Sequence, residues 1–211
     1  MTTIYLIRHT QTVGNIEKRL TGHHDYEVTK EGQKYIDMLT ERLKNIKFDV
    51  AYASTLKRTS KTIAKLAQIN NLPIIEEKDL CEMYFGDYDG MTWEEVNRIN
   101  PSIRQKQIET NEIMTIKNQE STEEVANRMY NIIKKIATEN ADKKILIGSH
   151  GVAMEAFLRK VSGVPFIEQR EEYSQKNTCV NIVEYDEKTE KFCIKLLNSI
   201  EHIKEKNERE R

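Results

Sequence analysis

The chain has 211 residues, long for one small domain and short for two, so a single domain carrying an insertion is the expectation. Its 33 Lys and Arg nearly cancel its 34 Asp and Glu, leaving a formal net charge of -1; this excludes a nucleic-acid partner gathered by phosphate attraction, and no aromatic-basic motif accompanies it. No apolar run approaches the roughly 20 residues of a membrane helix, and Met1-Thr2-Thr3 passes straight into a strand with no room for a signal peptide, so a cytoplasmic protein without a membrane partner is expected.

The first element is Ile4-Tyr5-Leu6-Ile7, a near-continuous apolar run of the kind that forms a strand buried on both faces, and it stops at Arg8-His9. A polar, Gly-containing loop follows over Leu20 to Asp25. Thr29 then caps a helix with Ile36, Leu39, Leu43 and Ile46 at helical spacing. Val50 to Ala53 reads as a short strand, and Ser54 as the N-cap of a helix that turns Thr59, Ile63, Leu66 and Ala67 inward and ends near Asn70-Asn71. Pro73-Ile74-Ile75 begins a third strand.

Between Leu80 and Gln119 the periodicity loosens. Gly86 and Gly90 mark turns, Thr92 to Glu95 starts a short helix with Trp93, Val96 and Ile99 as its packed face, and Pro101 ends it. This stretch predicts a partly helical insertion, around 83–120, laid over the sheet. Ser121-Thr122-Glu123-Glu124 is a capping box for a helix with Val125, Met129, Ile132, Ile133 and Ile136 on one face. Strand Lys144 to Gly148 leads to Ser149-His150-Gly151 and another helix through Val161. Two alternating runs, Cys179 to Tyr185 and Lys191 to Leu197, close the chain before a charged tail, 201–211, in which His202 reads as solvated. The cysteines Cys81, Cys179 and Cys193 form no CxxC pair and suit reduced thiols, with Cys179 and Cys193 as small core residues. The order of elements predicts an α/β fold: three layers, a mainly parallel sheet flanked by helices, with residues 1–200 as one domain.

Four polar sites share one address in such a fold. Arg8-His9 follows the first strand, Arg58 lies just past the second, Glu82 comes after the third, and His150 follows the fourth. Parallel strands end on the same side, so all four open on one crevice. Two arginines with His150 make a cationic pocket suited to a phosphoryl group, their guanidinium forks matching its oxygens, and the helix after His150 adds N-terminal amides. His9 is then the nucleophile, and Glu82 the acid that protonates the leaving alkoxide and next activates water. His23-His24-Asp25 reads as a pocket-rim loop, since no further ligand cluster stands at metal-binding spacing; no metal and no cofactor is expected. Arg98, Arg104, Lys106 and Lys117 read as surface cations.

With these residues in place the chain resembles the histidine phosphatase superfamily, the phosphoglycerate mutase-like proteins. The blocks that carry the likeness are Arg8-His9-Thr10-Gln11-Thr12 with Asn15, Ser54-Thr55-Leu56-Lys57-Arg58, Leu80-Cys81-Glu82 with Phe85-Gly86 and Tyr88-Asp89-Gly90, and Ser149-His150-Gly151. The resemblance implies that His9 accepts the phosphoryl group, that Glu82 donates the proton, and that Arg8, Arg58 and His150 form the phosphate pocket. Asn15, the Gly22 region and Gly151 then stand at its substrate-binding edge. Two departures stand out. Thr10 replaces the family's usual glycine and adds a side chain beside the pocket. Met83 stands where the glycolytic mutases carry an arginine, which removes a grip on a second anionic group and favours phosphatase over mutase.

The implied activity is that of a phosphomonoesterase acting on a small phosphorylated metabolite, with α-ribazole phosphate and sugar phosphates among the candidate substrates. A phosphoglycerate mutase, and a phospho-ligand binding relative without turnover, are the alternatives. A symmetric homodimer through a sheet edge is compatible with the pattern.

Overall fold

The computed structural model describes residues 1–103, 117–165, 168 and 170–203. A six-stranded sheet runs in the order β3-β2-β4-β1-β5-β6, built from β1 (Thr2–Arg8), β2 (Val50–Ala53), β3 (Ile74–Glu76), β4 (Lys144–Ser149), β5 (Val180–Asp186) and β6 (Lys191–Ser199). β1 pairs in parallel with β4, β2 in parallel with β4 and β3, while β5 and β6 join antiparallel at the far edge. The sheet is therefore mixed, with its parallel half where the polar constellation lies. Among the described residues the helices are α1 (Val13–Ile16), α2 (Lys30–Leu43), α3 (Lys57–Ile69), α4 (Trp93–Ile99), α5 (Thr122–Glu139) and α6 (Gly151–Ser162).

Alternate residues of the central strands meet different helical layers. Ile4, Leu6, Ile145 and Ile147 pack with α5 and α6, among Met129, Ile133 and Phe157. Ile7, Ala51, Ala53 and Leu146 pack with α2 and α3, among Leu39, Ile63 and Leu66. Both faces are covered, which is why β1 and β4 read as continuous apolar runs and not as alternating ones. Ile4, Leu6 and Ile7 have no exposed surface, and each contributes roughly 1.5–3 kcal/mol of transfer free energy.

The helix starts follow their caps. Gly32 N–H donates to the Thr29 hydroxyl, and Thr92 with Glu95 and Ser121 with Glu124 form reciprocal capping boxes. Ser54 is not a cap: α3 begins at Lys57 with Leu56 extended before it, and the Ser54 hydroxyl accepts from Leu56 N–H while facing His150.

Other expectations need correction. Cys193 is exposed, because the alternation of β6 sets Phe192 and Ile194 against the core and turns Cys193 outward. Ile99 is also exposed, since only Val96 of α4 is fully buried. His202 is buried: its ring nitrogens meet the Arg42 guanidinium at 3.2 Å and the Thr178 hydroxyl at 3.1 Å, so the first turn of the charged tail docks on the body. Arg98 and Lys117 are exposed as expected; Arg104, Lys106 and the tail beyond Ile203 lie outside the described residues.

Register sets the functional edge. Arg8 stands opposite Ser149, and Ala53 opposite both Gly148 and Glu76, so the four parallel strands end at one level. His9, Ser54 and His150 leave the sheet along that line, and a 3-10 turn at Lys78–Leu80 delivers Glu82 to it.

Candidate active site

His9 is 2% exposed, and its Nδ1 lies 2.7 Å from the Thr10 carbonyl oxygen. A carbonyl oxygen only accepts, so Nδ1 carries the proton and Nε2 keeps its lone pair. His150, wholly buried at the N-cap of α6, stands with its ring centroid 5.3 Å from that of His9. Its Nε2 is 2.7 Å from the Ser54 hydroxyl, and its Nδ1 is buried without a hydrogen-bond partner among the described residues. Burial first, then the positive charges of Arg58 and Arg8, hold the His9 imidazole well below its ordinary pKa. His150 is held down the same way, with His9 adding to the two arginines. Both rings are therefore neutral near pH 7, the state in which one can attack and the other can donate through a single nitrogen.

The arginines are fixed by carbonyls. Arg8 NH1 donates to the Gln175 carbonyl at 2.5 Å. Arg58, 1% exposed in the first turn of α3, points both terminal nitrogens at the rim loop: NH1 donates to His24 O and Asp25 Oδ1, NH2 to Thr21 O and Gly22 O. The expected guanidinium fork of Arg58 is thus absorbed by the protein, and only its Nε remains. The donors Arg8 Nε and Arg58 Nε join His150 Nδ1 as buried nitrogens that no described protein atom satisfies. These three share one electrostatic neighbourhood, since both arginine charges act on both imidazoles.

Glu82 is 6% exposed. Its Oε1 accepts from Met83 N–H at 2.9 Å and Ala153 N–H at 2.8 Å, and its Oε2 from Val152 N–H at 3.1 Å. The first-turn amides of α6, expected to face an anion directly, instead hold this carboxylate at the positive end of the helix. A cavity of about 290 Å³ opens beside it, lined by Arg8, Asn15, Glu82, Gly151 and the insertion residues Phe85 and Trp93.

The edge residues have defined parts. Asn15 Oδ1 accepts from the Thr12 amide and hydroxyl. Gly22 N–H donates to Asp89, and a Cβ at Gly22 would stand 2.7 Å from the Met83 carbonyl oxygen. A Cβ at Gly151 would press within 3.2 Å of the Arg8 guanidinium carbon. Thr10 behaves differently from the expectation. Its hydroxyl turns to α2 and donates to Gly32 O at 2.7 Å, while its N–H donates to Thr62, so the extra side chain is drawn away from the pocket. Met83 is fully buried in the core and offers no grip on an anion. His23-His24-Asp25 is tied into the rim: His23 Nε2 meets the Glu82 carbonyl, His24 pairs with Asp89, and Asp25 accepts from the α3 amide of Lys57.

Residues 4–199 match the sequence profile of the histidine phosphatase superfamily, branch 1. The chain belongs to that superfamily. It is 30% identical over 203 residues to PhoE of Bacillus subtilis (strain 168), an uncharacterised phosphatase, covering 96% of this chain and 97% of the relative. It is 29% identical to phosphoserine phosphatase 1 of Hydrogenobacter thermophilus over 78% of each chain. Among solved structures, Bacillus stearothermophilus YhfR superposes with a TM-score of 0.88 at 24% identity, covering 96% of this chain and all of that one. By this membership the chain is a phosphatase, on a phosphoglycerate mutase-like fold.

Several positioning residues of this histidine phosphatase carry no signature in the sequence. The Asn177 amide donates to the His9 carbonyl at 3.0 Å, and Gln175, 4% exposed, fastens Arg8 through its own carbonyl while its side chain meets Asn181 and Cys179. Arg128 of α5 donates to the carbonyls of Asp79, Cys81 and Glu82 and pairs with Glu120. A signal for Arg128 existed: it interrupts the inward arc of α5 between Val125 and Met129.

Proposed function

We propose that this chain hydrolyses small phosphomonoesters without metal or cofactor, through a phosphohistidine on His9. In the first step the Nε2 lone pair of His9 forms the N–P bond, the P–O ester bond breaks, and Glu82 gives its proton to the departing alkoxide oxygen. In the second, the Glu82 carboxylate takes a proton from water, the hydroxide forms a new P–O bond, and the N–P bond returns its pair to Nε2. Arg8, Arg58 and His150 meet the equatorial oxygens throughout, where charge stabilisation is the main task of phosphoryl transfer. Asn15, Gly22 and Gly151 shape the edge that receives the ester, and the insertion of the single 1–200 domain covers it through its described parts, 83–103 and 117–120, while 104–116 lie outside the described residues.

What carries this assignment is the trio of buried nitrogens without a partner among the described residues, Arg8 Nε, Arg58 Nε and His150 Nδ1, beside an imidazole whose tautomer leaves Nε2 free. An unmet buried polar group costs about 1–3 kcal/mol, and an anion seated beside His9 is the partner these nitrogens lack. The buried thioether at Met83 favours hydrolysis over mutase chemistry, which needs a grip on a second anionic group. The phosphoserine phosphatase among the relatives supports a small phosphorylated metabolite as substrate, with α-ribazole phosphate and sugar phosphates in the same size range. His9→Ala is expected to abolish phosphate release from p-nitrophenyl phosphate, with EDTA without effect on the wild type; full activity in the variant would remove His9 as nucleophile.

A further inference from the structure

The cavity wall carries charges of both signs. At the phosphoryl end stand Arg8 and, bearing on the same imidazoles, Arg58. The cavity is also lined by Arg19 and Glu155, and their partners decide the charge balance around them. Arg19 donates through Nε to Glu17, through NH1 to the Gly90 carbonyl, and lies 3.9 Å from Glu95. Glu155 accepts from Arg159 Nε at 2.9 Å. Around Arg19 and Glu155, two arginines thus meet three glutamates, a local excess of one negative charge.

Glu155 itself is placed by helix geometry. It stands four residues after Gly151 on α6, one turn along the face on which Gly151 abuts the Arg8 guanidinium, and so looks onto the ester's alcohol portion. Its side chain is 27% exposed, whereas that of Arg159 is 4% exposed and also donates to the Pro165 and Glu168 carbonyls. The glutamate, not the arginine, meets the cavity. Burial raises the Glu155 pKa against the lowering pull of Arg159, and the charge of Glu82 adds to the rise; both carboxylates line the one cavity.

Resting on the phosphatase assignment above, we propose that Glu155 selects the leaving group: it accepts a hydrogen bond from a hydroxyl or ammonium on the alcohol, so that phosphomonoesters of polyols and amino alcohols are preferred over those of hydroxy acids. A carboxylate placed there meets like charge at close range, while a donor fills an acceptor already held in place by Arg159. The apolar lining of Leu20, Phe85 and Trp93 takes the carbon chain of the alcohol.

The test compares kcat/KM for O-phosphoethanolamine, glycerol 1-phosphate and 3-phosphoglycerate, in wild type and in Glu155→Gln, with p-nitrophenyl phosphate as a control for the wild type. The wild type is expected to prefer the first two over 3-phosphoglycerate by on the order of tenfold or more, the discrimination typical of a buried polar contact. In Glu155→Gln the ethanolamine-to-glycerate ratio is expected to fall by about tenfold; the glycerol-to-glycerate ratio falls less, because a glutamine oxygen still accepts from a hydroxyl. Wild-type preference for 3-phosphoglycerate, or an ethanolamine-to-glycerate ratio unchanged by the substitution, overturns the assignment of Glu155. Absence of wild-type activity on p-nitrophenyl phosphate would instead sink the phosphatase assignment beneath it.

Discussion

Replacing Glu82 by Gln removes the proposed proton donor while keeping the shape of the side chain. Three backbone amides hold the carboxylate: Met83 and Ala153 on Oε1, Val152 on Oε2. The better glutamine rotamer keeps its oxygen toward the first two and turns its NH2 toward Val152 N–H, a lost hydrogen bond with two donors opposed. That costs about 1–3 kcal/mol of stability, which a domain stable by roughly 5–15 kcal/mol survives. The kinetic effect is larger and depends on the ester. An alkoxide cannot leave without a proton, so kcat/KM for glycerol 1-phosphate is expected to fall by about 10²–10⁴, or ~2.7–5.4 kcal/mol of barrier. The p-nitrophenolate anion leaves without help, and its ester is expected to lose less than about tenfold in kcat/KM. Turnover of the same ester slows further, because the carboxylate is also needed to activate water, so a burst of nitrophenol precedes a slow steady state. Equal losses for both esters in kcat/KM would refute Glu82 as the acid.

Two further perturbations test the supporting structure. Arg128→Met releases the carbonyls of Asp79, Cys81 and Glu82, and kcat on an alkyl phosphate is expected to drop by about tenfold with KM changed less; loss of stability with kcat intact would make Arg128 purely structural. Although burial pushes the Glu120 carboxyl up, the Arg128 guanidinium brings it below its ordinary value, so the stability this pair contributes is present above the unfolded carboxylate pKa and lost as pH falls through the folded one. The melting difference between wild type and Arg128→Met should therefore shrink in acid. Burial, then the charge of Arg42, lowers the His202 pKa to about 4, so the unfolded chain binds more protons between pH 4 and about 6.5 and stability falls as pH drops through that window. His202→Gln should remove on the order of 2 kcal/mol of this pH dependence between pH 7 and pH 5, read by urea unfolding; an unchanged slope would mean that His202 is solvated in solution.

The layers and the polar edge at the strand ends were legible because both depend on local pattern. A strand covered on both faces must be apolar throughout, and Ile4 to Ile7 and Ile145 to Ile147 are; a residue that ends such a strand must emerge at the sheet's edge, as His9 and His150 do. What the sequence concealed depends on pairs distant along the chain. Nothing near Arg58 announces that four rim-loop acceptors use up its terminal nitrogens, nor does anything near Glu82 announce that amides some 70 residues later hold its carboxylate. The destination of the Thr10 hydroxyl required knowing that Gly32 brings α2 within 2.7 Å. His202 misled for a related reason: charged neighbours describe the exposed side of a short turn, while its other side packs on Arg42 and Thr178.

The central claim is a covalent bond between phosphorus and His9 Nε2, and the direct measurement is rapid mixing with a phosphomonoester followed by an alkaline quench and peptide mass spectrometry. The expected result is one phosphoryl group on the peptide bearing His9, labile to acid and stable to base, accumulating further in Glu82→Gln and missing from His9→Ala. Turnover with no phosphorylated peptide at any time, or with the phosphoryl group on a different residue, would contradict it.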